Sequence, residues 1–231
     1  MRPATLSVPK LLLPVGGRPF ADWQLSWMRD SGVSSALYCI GHLGDQIKAF
    51  IGDGARWGLK VSYSEDGDEL VGTAGALRLA AEREMLEDVF AVTYGDSFLQ
   101  VSVAAALEAF RAHPHADALM VVYENRGRYD RSNVVLDGGF VREYFPGAVS
   151  TTLVPRYIDY GLSVMTTTVV DQFPRHSPLG LPEIFTGLAM AGRLAALEAA
   201  DRFFEIGSPR GLGDLEQWLR MSGQIERKAS S

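Results

Sequence analysis

Val8-Pro9-Lys10-Leu11-Leu12-Leu13-Pro14-Val15 is the stretch from which the fold of this 231-residue chain can be read. A single cation stands between prolines that fix the backbone on both sides, and an apolar run follows it. A lysine without such a context is nearly always a solvated surface residue. A positioned ammonium can instead neutralise the charge on phosphate, and Lys10 is therefore the first candidate for phosphate chemistry.

Downstream of this stretch, apolar runs of strand length alternate with helical patterns. Strands are predicted at residues 36–41, 60–63, 89–94 and 118–123. Helices are predicted at residues 20–30, 45–50, 73–86 and 103–113. The alternation is typical of βαβ units. It predicts an α/β fold with a Rossmann-like, mostly parallel mixed sheet and helices on both of its faces.

The pattern changes after residue 131. The strand-like segments 133–136 and 140–145 flank Asp137-Gly138-Gly139, whose Asp-Gly pair supplies the positive φ of a β-hairpin. Later elements are predicted as strands at 157–165 and 194–198 and as a closing helix at 209–221. Because the chain has no linker, repeat or low-complexity segment, we expect one domain over residues 1–223 and a frayed tail over 224–231.

Composition excludes several classes of partner. The formal net charge is −6, and no run of Lys or Arg forms the basic stripe of a nucleic-acid-binding protein. Cys39 is the only cysteine, which excludes an internal disulfide, and its apolar surroundings predict a packed thiol. The sequence shows neither a membrane span nor an export signal. We therefore expect a cytoplasmic protein without a membrane partner; a homo-oligomer stays open.

The opening stretch resembles the sugar-phosphate nucleotidylyltransferases, whose pattern is G-G-x-G-T-R-x-R-P followed by P-K-x-L-L-P-V. The match runs over residues 2–20, from Arg2 onwards. Through the segments around Gly72 and Asp159, the chain resembles most the mannose-1-phosphate and manno-heptose-1-phosphate guanylyltransferases of this family. The resemblance implies a fold of the nucleotide-diphospho-sugar transferase type. It also implies transfer of a nucleoside monophosphate from a nucleoside triphosphate to a sugar 1-phosphate, with Lys10 on the triphosphate.

The first half of that pattern is not in the sequence. Pro3, Pro9 and Pro14 leave no room for the buried strand that should precede a helix at residues 20–30. In the family, that strand lies in the middle of the sheet and leads into a glycine-rich loop with an arginine. We expect either that translation starts upstream of Met1 or that the chain is a degenerate relative.

Two acidic residues are candidates for holding Mg²⁺. Asp96 follows the apolar strand at 89–94 in Gly95-Asp96, at the carboxyl edge of the sheet where α/β folds bind ligands. Glu205 stands in Phe204-Glu205-Ile206-Gly207, which resembles the family's second metal element. Mg²⁺ prefers oxygen ligands and takes one or two protein carboxylates. The alternatives are a turn residue for Asp96 and a helix-dipole contact for Glu205.

Two further segments resemble substrate-binding loops of the family. Gly72-Thr73-Ala74-Gly75, after an acidic loop at residues 65–69, resembles a nucleotide-recognition loop, although an N-cap by Thr73 would also explain it. Asp159 and Gly161 resemble a strand that lines the sugar pocket, and Asn133 resembles another residue of that pocket. The resemblance implies that Asp159 accepts hydrogen bonds from sugar hydroxyls.

One departure concerns the sugar phosphate. Relatives carry a lysine after the hairpin, whereas this chain has Glu143-Tyr144-Phe145-Pro146. Arg142 and Arg156 are candidates to replace that lysine, although arginine is not equivalent at a tight phosphate site.

Two other functions compete with nucleotidyl transfer. The departures favour a catalytically impaired sugar-nucleotide-binding homologue or regulatory subunit. A Gly-Asp-Ser ester hydrolase would use Ser97 as its nucleophile. The histidines disfavour the hydrolase, because none lies in a late Asp-x-x-His element; they are His42, His113, His115 and His176. The pair His113 and His115 lacks further metal ligands nearby and is read as a solvated turn.

Overall fold

Strands and helices alternate along the described part of the chain, which in this computed structural model comprises residues 7–67, 71–147, 154–173 and 178–226. The helices are α1 Phe20–Asp30, α2 Gly44–Ile51, α3 Gly72–Glu82, α4 Val103–Arg111, α5 Thr167–Asp171, α6 Leu181–Met190 and α7 Pro209–Met221. The strands are β1 Pro14–Val15, β2 Arg18–Pro19, β3 Ser35–Ile40, β4 Lys60–Glu65, β5 Val89–Thr93, β6 Ser97–Phe98, β7 Ala118–Tyr123, β8 Val134–Asp137, β9 Phe140–Tyr144, β10 Ile158–Thr166, β11 Leu194–Ala199 and β12 Phe204–Glu205.

The long elements lie where the sequence predicts them. Helices α1 and α7 and strand β7 have the predicted bounds, and the predicted hairpin is the antiparallel pair β8–β9. Helices α5 and α6 and the short strands β1, β2, β6 and β12 were not predicted. Two-residue strands carry no periodicity, and α6 is apolar on most of its surface, so neither produces a clear amphipathic pattern.

A six-stranded sheet in the order β5-β10-β7-β11-β9-β8 forms the centre of the fold. Its β7–β11 pair is parallel, whereas β10 is antiparallel to both β5 and β7. The mixed α/β fold class is therefore confirmed. The parallel share of this sheet is smaller than expected, because β10 inserts between β5 and β7 and the hairpin adds two antiparallel strands at the far edge.

Strands β3 and β4 form a separate parallel pair. Within the described ranges, no ladder of backbone hydrogen bonds joins β3 to β5. A side chain of α1 connects them instead: the Tyr38 hydroxyl donates to Gln24 Oε1 (3.1 Å), and Gln24 Nε2 donates to the Tyr94 carbonyl (2.9 Å). Gln24 is buried, so this connection is part of the core.

Apolar side chains pack on both faces of the six-stranded sheet. One face packs against α3, α5 and α6, and the other packs against α4. A third group, here called the aromatic cluster, joins α1 and α7 to the β6–β12 pair; its rings are Phe20, Trp23, Trp57, Phe98 and Phe204, with Trp218 packed against them. Helices therefore cover both faces of the sheet, as predicted.

The first residues after α7 contact the rest of the protein. The amide of Gln224 donates to the Leu219 carbonyl (2.9 Å), and the Ile225 side chain lies against Gly16. Residues 227–231 of the expected tail lie outside the described residues. Among the helices that the structure describes, none combines the length and apolarity needed to cross a membrane.

Candidate active site

A two-residue antiparallel pair brings the two candidate metal ligands together. Strand β12 pairs with β6 so that Glu205 lies opposite Ser97, the residue after Asp96. The Ile206 amide also donates to the Asp96 carbonyl (2.9 Å). These backbone hydrogen bonds hold Asp96 and Glu205 next to each other, although the two residues are far apart in sequence.

Lys10 completes this group. Its Nζ lies 2.9 Å from Asp96 Oδ2. The three side chains converge on Gly207: a Cβ placed there would lie 2.9 Å from Glu205 Oε2 and 3.4 Å from both Asp96 Oδ2 and Lys10 Nζ. The lysine side chain is about half exposed and the aspartate a quarter exposed, so a ligand can reach both. The structure thus combines a cation and two carboxylates within one small, open site.

The donor set suits Mg²⁺. Two carboxylates at one point are what this cation takes from a protein when phosphate and water supply its other ligands. Ser208 orients the second carboxylate, because its hydroxyl donates to Glu205 Oε1 (3.2 Å) while its Oγ accepts from the Gly211 amide at the start of α7 (3.0 Å). In the described ranges, no cluster of three or more histidine, cysteine or acidic side chains offers a fuller metal site.

Two of the predicted sugar-side residues, Asp159 and Gly161, lie on an irregular part of β10 that packs against the turn after β5. The pairing of β10 with β7 shifts between Asp159 and Ser163. Gly161 lies in this bulge with φ +83°, and a Cβ there would be 3.2 Å from Ser97 Oγ. Glycine is therefore needed for both its backbone conformation and its close approach. The bulge places Asp159 and Gly161 beside the strand end that carries Asp96.

Asp159 is held by three hydrogen bonds. Its Oδ1 accepts from the Gly161 amide (2.9 Å), its Oδ2 accepts from the Tyr144 hydroxyl (3.2 Å), and its own amide donates to Asn133 Oδ1 (3.0 Å). Burial raises the pKa of Asp159, while the hydrogen bonds from Gly161 and Tyr144 lower it in part. Burial also raises the pKa of Tyr144, which keeps this phenol protonated and a donor.

The predicted nucleotide loop packs against the residues before α6. The Leu179 carbonyl accepts from the amides of Ala74 (2.9 Å) and Gly75 (3.4 Å). Gly72 has φ +74°, and a Cβ there would lie 2.5 Å from the same carbonyl oxygen. The proposed N-cap role of Thr73 is wrong, because its hydroxyl accepts from the Leu181 amide at the start of α6 (2.9 Å) and does not cap α3.

The remaining candidates have other partners. Arg142 pairs with Asp137 (3.2 Å) and Arg156 pairs with Glu124 (2.5 Å). Both arginines are exposed, and their replacement of the family's lysine stays a prediction. Tyr144 stands in that region instead, and no periodicity in the sequence indicates its contact with Asp159. Ser97 is buried, and its hydroxyl lies against Gly161, which does not favour the hydrolase.

The remaining expectations concern the histidines, Cys39 and several residues outside the described ranges. The interpretation of the two histidines as a solvated turn is wrong for His113, because its Nδ1 lies 2.8 Å from the Ala109 carbonyl and its ring packs against Phe140, whereas His115 is exposed. Burial raises the pKa of Cys39 to about 11, as fits a packed thiol. Arg2, His176 and residues 68–70 of the acidic loop lie outside the described residues.

Comparison with known proteins identifies the family of the chain. A family model described as MobA-like NTP transferase domain matches residues 3–206. The catalytic subunit beta of mannose-1-phosphate guanylyltransferase from Xenopus tropicalis is 26% identical over 215 residues, 91% of this chain. The N-acetylmuramate alpha-1-phosphate uridylyltransferase of Neisseria meningitidis serogroup B is 31% identical over 126 residues, 54% of this chain.

A solved structure has the same fold over the whole chain. A putative glucose-1-phosphate thymidylyltransferase from Bacillus anthracis superposes with a TM-score of 0.79 at 19% identity, covering 100% of this chain and 92% of that one. The two curated relatives are matched over 58% and 54% of their own lengths, so the chain spans little more than half of each.

Proposed function

The chain belongs to the MobA-like NTP transferase domain family, and from that premise we propose that it is a sugar-1-phosphate nucleotidylyltransferase. The reaction takes a nucleoside triphosphate and a sugar 1-phosphate and gives a nucleotide sugar and pyrophosphate. The observation that carries the proposal is the convergence of Lys10, Asp96 and Glu205 at Gly207. A cation beside two carboxylates at the carboxyl end of β5 suits phosphate held with a divalent metal.

The proposed chemistry is a single in-line displacement. An oxygen of the sugar phosphate attacks the α-phosphorus, a new P–O bond forms, and the bond from the α-phosphorus to the oxygen bridging to the β-phosphate breaks. The electron pair leaves with pyrophosphate, and no covalent bond to the protein is needed. The contribution of the chain is to position the reactants and to neutralise charge.

Each group at the site has a role in this scheme. Lys10 contacts the donor phosphates and neutralises part of their charge. Asp96 and Glu205 would hold Mg²⁺, which supplies further charge neutralisation at the transferring phosphate when it is bound. Asp159, Gly161 and Asn133 orient the sugar, and the loop of Gly72, Thr73 and Gly75 lines the nucleotide.

For the substrates, we favour a guanosine nucleotide with mannose 1-phosphate or a manno-heptose 1-phosphate. The support is the sequence pattern around Gly72 and Asp159, together with the alignment of 91% of the chain to the mannose-1-phosphate guanylyltransferase subunit.

A second candidate is a homologue that binds nucleotide sugars without turning them over. The observation in its favour is that Tyr144, buried and bonded to Asp159, stands in the region where relatives carry a phosphate-binding lysine. Binding without release of pyrophosphate separates it from the first candidate.

Pyrophosphate release is the direct test. The chain is assayed with Mg²⁺, a panel of nucleoside triphosphates and the 1-phosphates of mannose, manno-heptose and glucose. At least one pair is expected to react. Lys10→Ala and Asp96→Asn are each expected to lower kcat/KM about 100-fold or more, because each removes preorganised charge.

Lys60→Ala is the matched control, since Lys60 is an exposed lysine at the start of β4, and it should leave the rate unchanged. If no pair releases pyrophosphate although a nucleotide sugar binds, the non-catalytic candidate is the correct one.

A further inference from the structure

The β1–β2 hairpin that follows Lys10 has little regular structure of its own. Lys10 begins a 3₁₀ turn of three residues, and β1 and β2 have two residues each. Because such a short hairpin is at best marginally stable alone, contacts with the rest of the protein set its position. Helix α1 supplies two of them: the Phe20 amide donates to the Leu13 carbonyl (2.9 Å), and Trp23 Nε1 donates to the Val15 carbonyl (3.1 Å).

Helix α7 and the residues after it hold the turn of the same hairpin. Glu216 Oε1 accepts from the Gly16 amide (3.1 Å), and Arg220 donates to Glu216 Oε2 (2.8 Å). The hydrogen bond to the amide is charge-assisted, and the guanidinium restrains the carboxylate that makes it. Ile225 covers the turn, since a Cβ on Gly16 would lie 2.7 Å from Ile225 Cγ2. Glu216, Arg220 and Ile225 are here called the α7 clamp.

Apolar packing connects the α7 clamp to Lys10. Leu11 and Val15 pack in the same buried cluster as Leu215 and Leu219 of α7, and all four side chains are at most 5% exposed. Protein cores are close-packed, so a movement of the hairpin against α7 would disturb these contacts. Lys10 directly precedes Leu11, and its backbone therefore follows the position of the hairpin.

The same helix positions the second candidate metal ligand. Ser208, the N-cap of α7, donates to Glu205 Oε1 (3.2 Å) and accepts from the Gly211 amide (3.0 Å). Glu216 lies eight residues after Ser208, which is about 12 Å along the axis of an α-helix. One helix thus contacts Glu205 near its start and the hairpin of Lys10 two turns later. The placement of the cation relative to the carboxylates depends on it.

We propose that Glu216 is a positioning residue, which through the α7 clamp places Lys10 beside Asp96 for contact with the donor phosphates. Glu216 itself touches no substrate and acts only through the β1–β2 hairpin. Its loss leaves the charge of Lys10 unchanged but allows the ammonium a wider range of positions. Small misplacements of a positioned group are costly in rate. The proposal rests on the proposed function, because it concerns the lysine of that same site.

Chemical labelling of Lys10 tests the positioning without any substrate. Lys10 Nζ is paired with Asp96 Oδ2 (2.9 Å), which restrains the amine. Acetylation rates of the lysines are measured by mass spectrometry, with the exposed Lys60 as internal reference. In Glu216→Ala the ratio of the Lys10 rate to the Lys60 rate is expected to rise about threefold, because a mobile hairpin breaks the exposed ion pair more often.

Kinetics test whether Glu216 acts through Lys10. Glu216→Ala is expected to lower kcat/KM about tenfold in the wild-type background. In a Lys10→Ala background the same substitution should cost less than about twofold, because a lysine that is absent cannot be misplaced. A general loss of structure would lower the rate equally in both backgrounds. Glu216→Gln keeps an oxygen that accepts from the Gly16 amide, and it should retain at least about a third of the wild-type kcat/KM.

Gln217→Ala is the matched control, since Gln217 is exposed on the same helix, and it should change neither the labelling ratio nor kcat/KM. Ile225→Ala removes a second contact of the α7 clamp and should change both quantities in the same direction as Glu216→Ala, by a smaller factor. Circular dichroism shows whether each variant is folded. If Glu216→Ala is not, Ile225→Ala and Glu216→Gln decide the question.

An unchanged labelling ratio in folded Glu216→Ala would overturn the proposal, and so would an equal loss of kcat/KM with and without Lys10. A raised labelling ratio in a protein that releases no pyrophosphate would remove the proposed function and leave the positioning role standing. Turnover by Glu216→Ala at the wild-type rate would do the reverse.

Discussion

At Gly207 one further carbon atom would meet the carboxylate end of the Glu205 side chain. In Gly207→Ala the new Cβ would lie 2.9 Å from Glu205 Oε2, closer than real Cβ atoms approach other heavy atoms. We expect the Glu205 carboxylate to be displaced from Asp96 and kcat/KM to fall at least about tenfold, because small misplacements of positioned groups are costly. Pyrophosphate release, with thermal unfolding measured in parallel, checks this expectation.

Gly213→Ala is the control for that substitution. Gly213 lies on the exposed side of α7, and a Cβ there meets nothing within 4 Å. It should keep full activity and gain about 0.5–1 kcal/mol of stability from the better helix former. Equal activity of the two variants would show that Gly207 does not limit the site.

The sequence indicates which single residues are candidate ligands, but not which residues they contact in space. Asp96 follows β5 and Glu205 is the last residue of β12, each with a glycine nearby, so a local pattern predicts that each is a ligand candidate. The two carboxylates come together through the β6–β12 pairing. This pairing could not be predicted, because two-residue strands have no recognisable sequence pattern. Tyr144 was missed because its hydroxyl reaches Asp159 only through tertiary structure: Val134 lies opposite Tyr144 in the hairpin and forms an isolated bridge with Tyr157, just before β10.

At the scale of the element, the start of α6 depends on a residue of another helix. The Thr73 hydroxyl accepts from the Leu181 amide, one of the amides that a helix cannot satisfy internally. Thr73→Val keeps the shape of the side chain and leaves that amide without its acceptor. We expect a loss of about 1 kcal/mol in the free energy of unfolding, measured with urea.

Thr73→Ser is the matched control and should retain most of the stability, because it keeps the hydroxyl. If the valine variant is as stable as the serine variant, the hydrogen bond does not support α6.

Elements with a long, clear period were predicted well, and those without one were missed. Helix α7 alternates apolar and polar residues at helical spacing, and its predicted bounds agree with the structure. Helix α6 reads as Leu-Pro-Glu-Ile-Phe-Thr-Gly-Leu-Ala-Met and has no continuous polar face. Its position follows from tertiary contacts with β9 and from the Thr73 cap, neither of which is local in sequence.

At the scale of the whole molecule, the two parts of the sheet should differ in local stability. Strand β7 is buried and paired on both sides, whereas β3 is half-buried and pairs only with β4 among the described residues. Amides of β3 should therefore exchange with deuterium at least about tenfold faster than those of β7. Hydrogen exchange read by mass spectrometry on peptides 35–40 and 118–123 measures the difference.

Strand β8 is the control, because it lies at the edge of the six-stranded sheet. Exchange of β3 as slow as that of β7 would show that the Gln24 connection makes the two parts one cooperative unit.

The sequence predicted the class of the fold better than the order of its strands. Alternating strands and helices identify an α/β domain, and the Asp-Gly turn identifies the hairpin. The insertion of β10 between β5 and β7 could not be predicted, because a buried strand has the same apolar sequence whichever way it runs.

Because of the aromatic cluster, the tryptophans are distributed unevenly, and so is their fluorescence signal. Of the four tryptophans, Trp23 and Trp57 lie in that cluster, Trp218 packs against it, and Trp27 packs against the α4 face of the six-stranded sheet. Light absorbed selectively by indole therefore reports chiefly on the half that bears Lys10. Unfolding of α1 and α7 alone should change the tryptophan emission almost as much as unfolding of the whole chain. Structural changes around Tyr144 should leave the emission nearly unchanged.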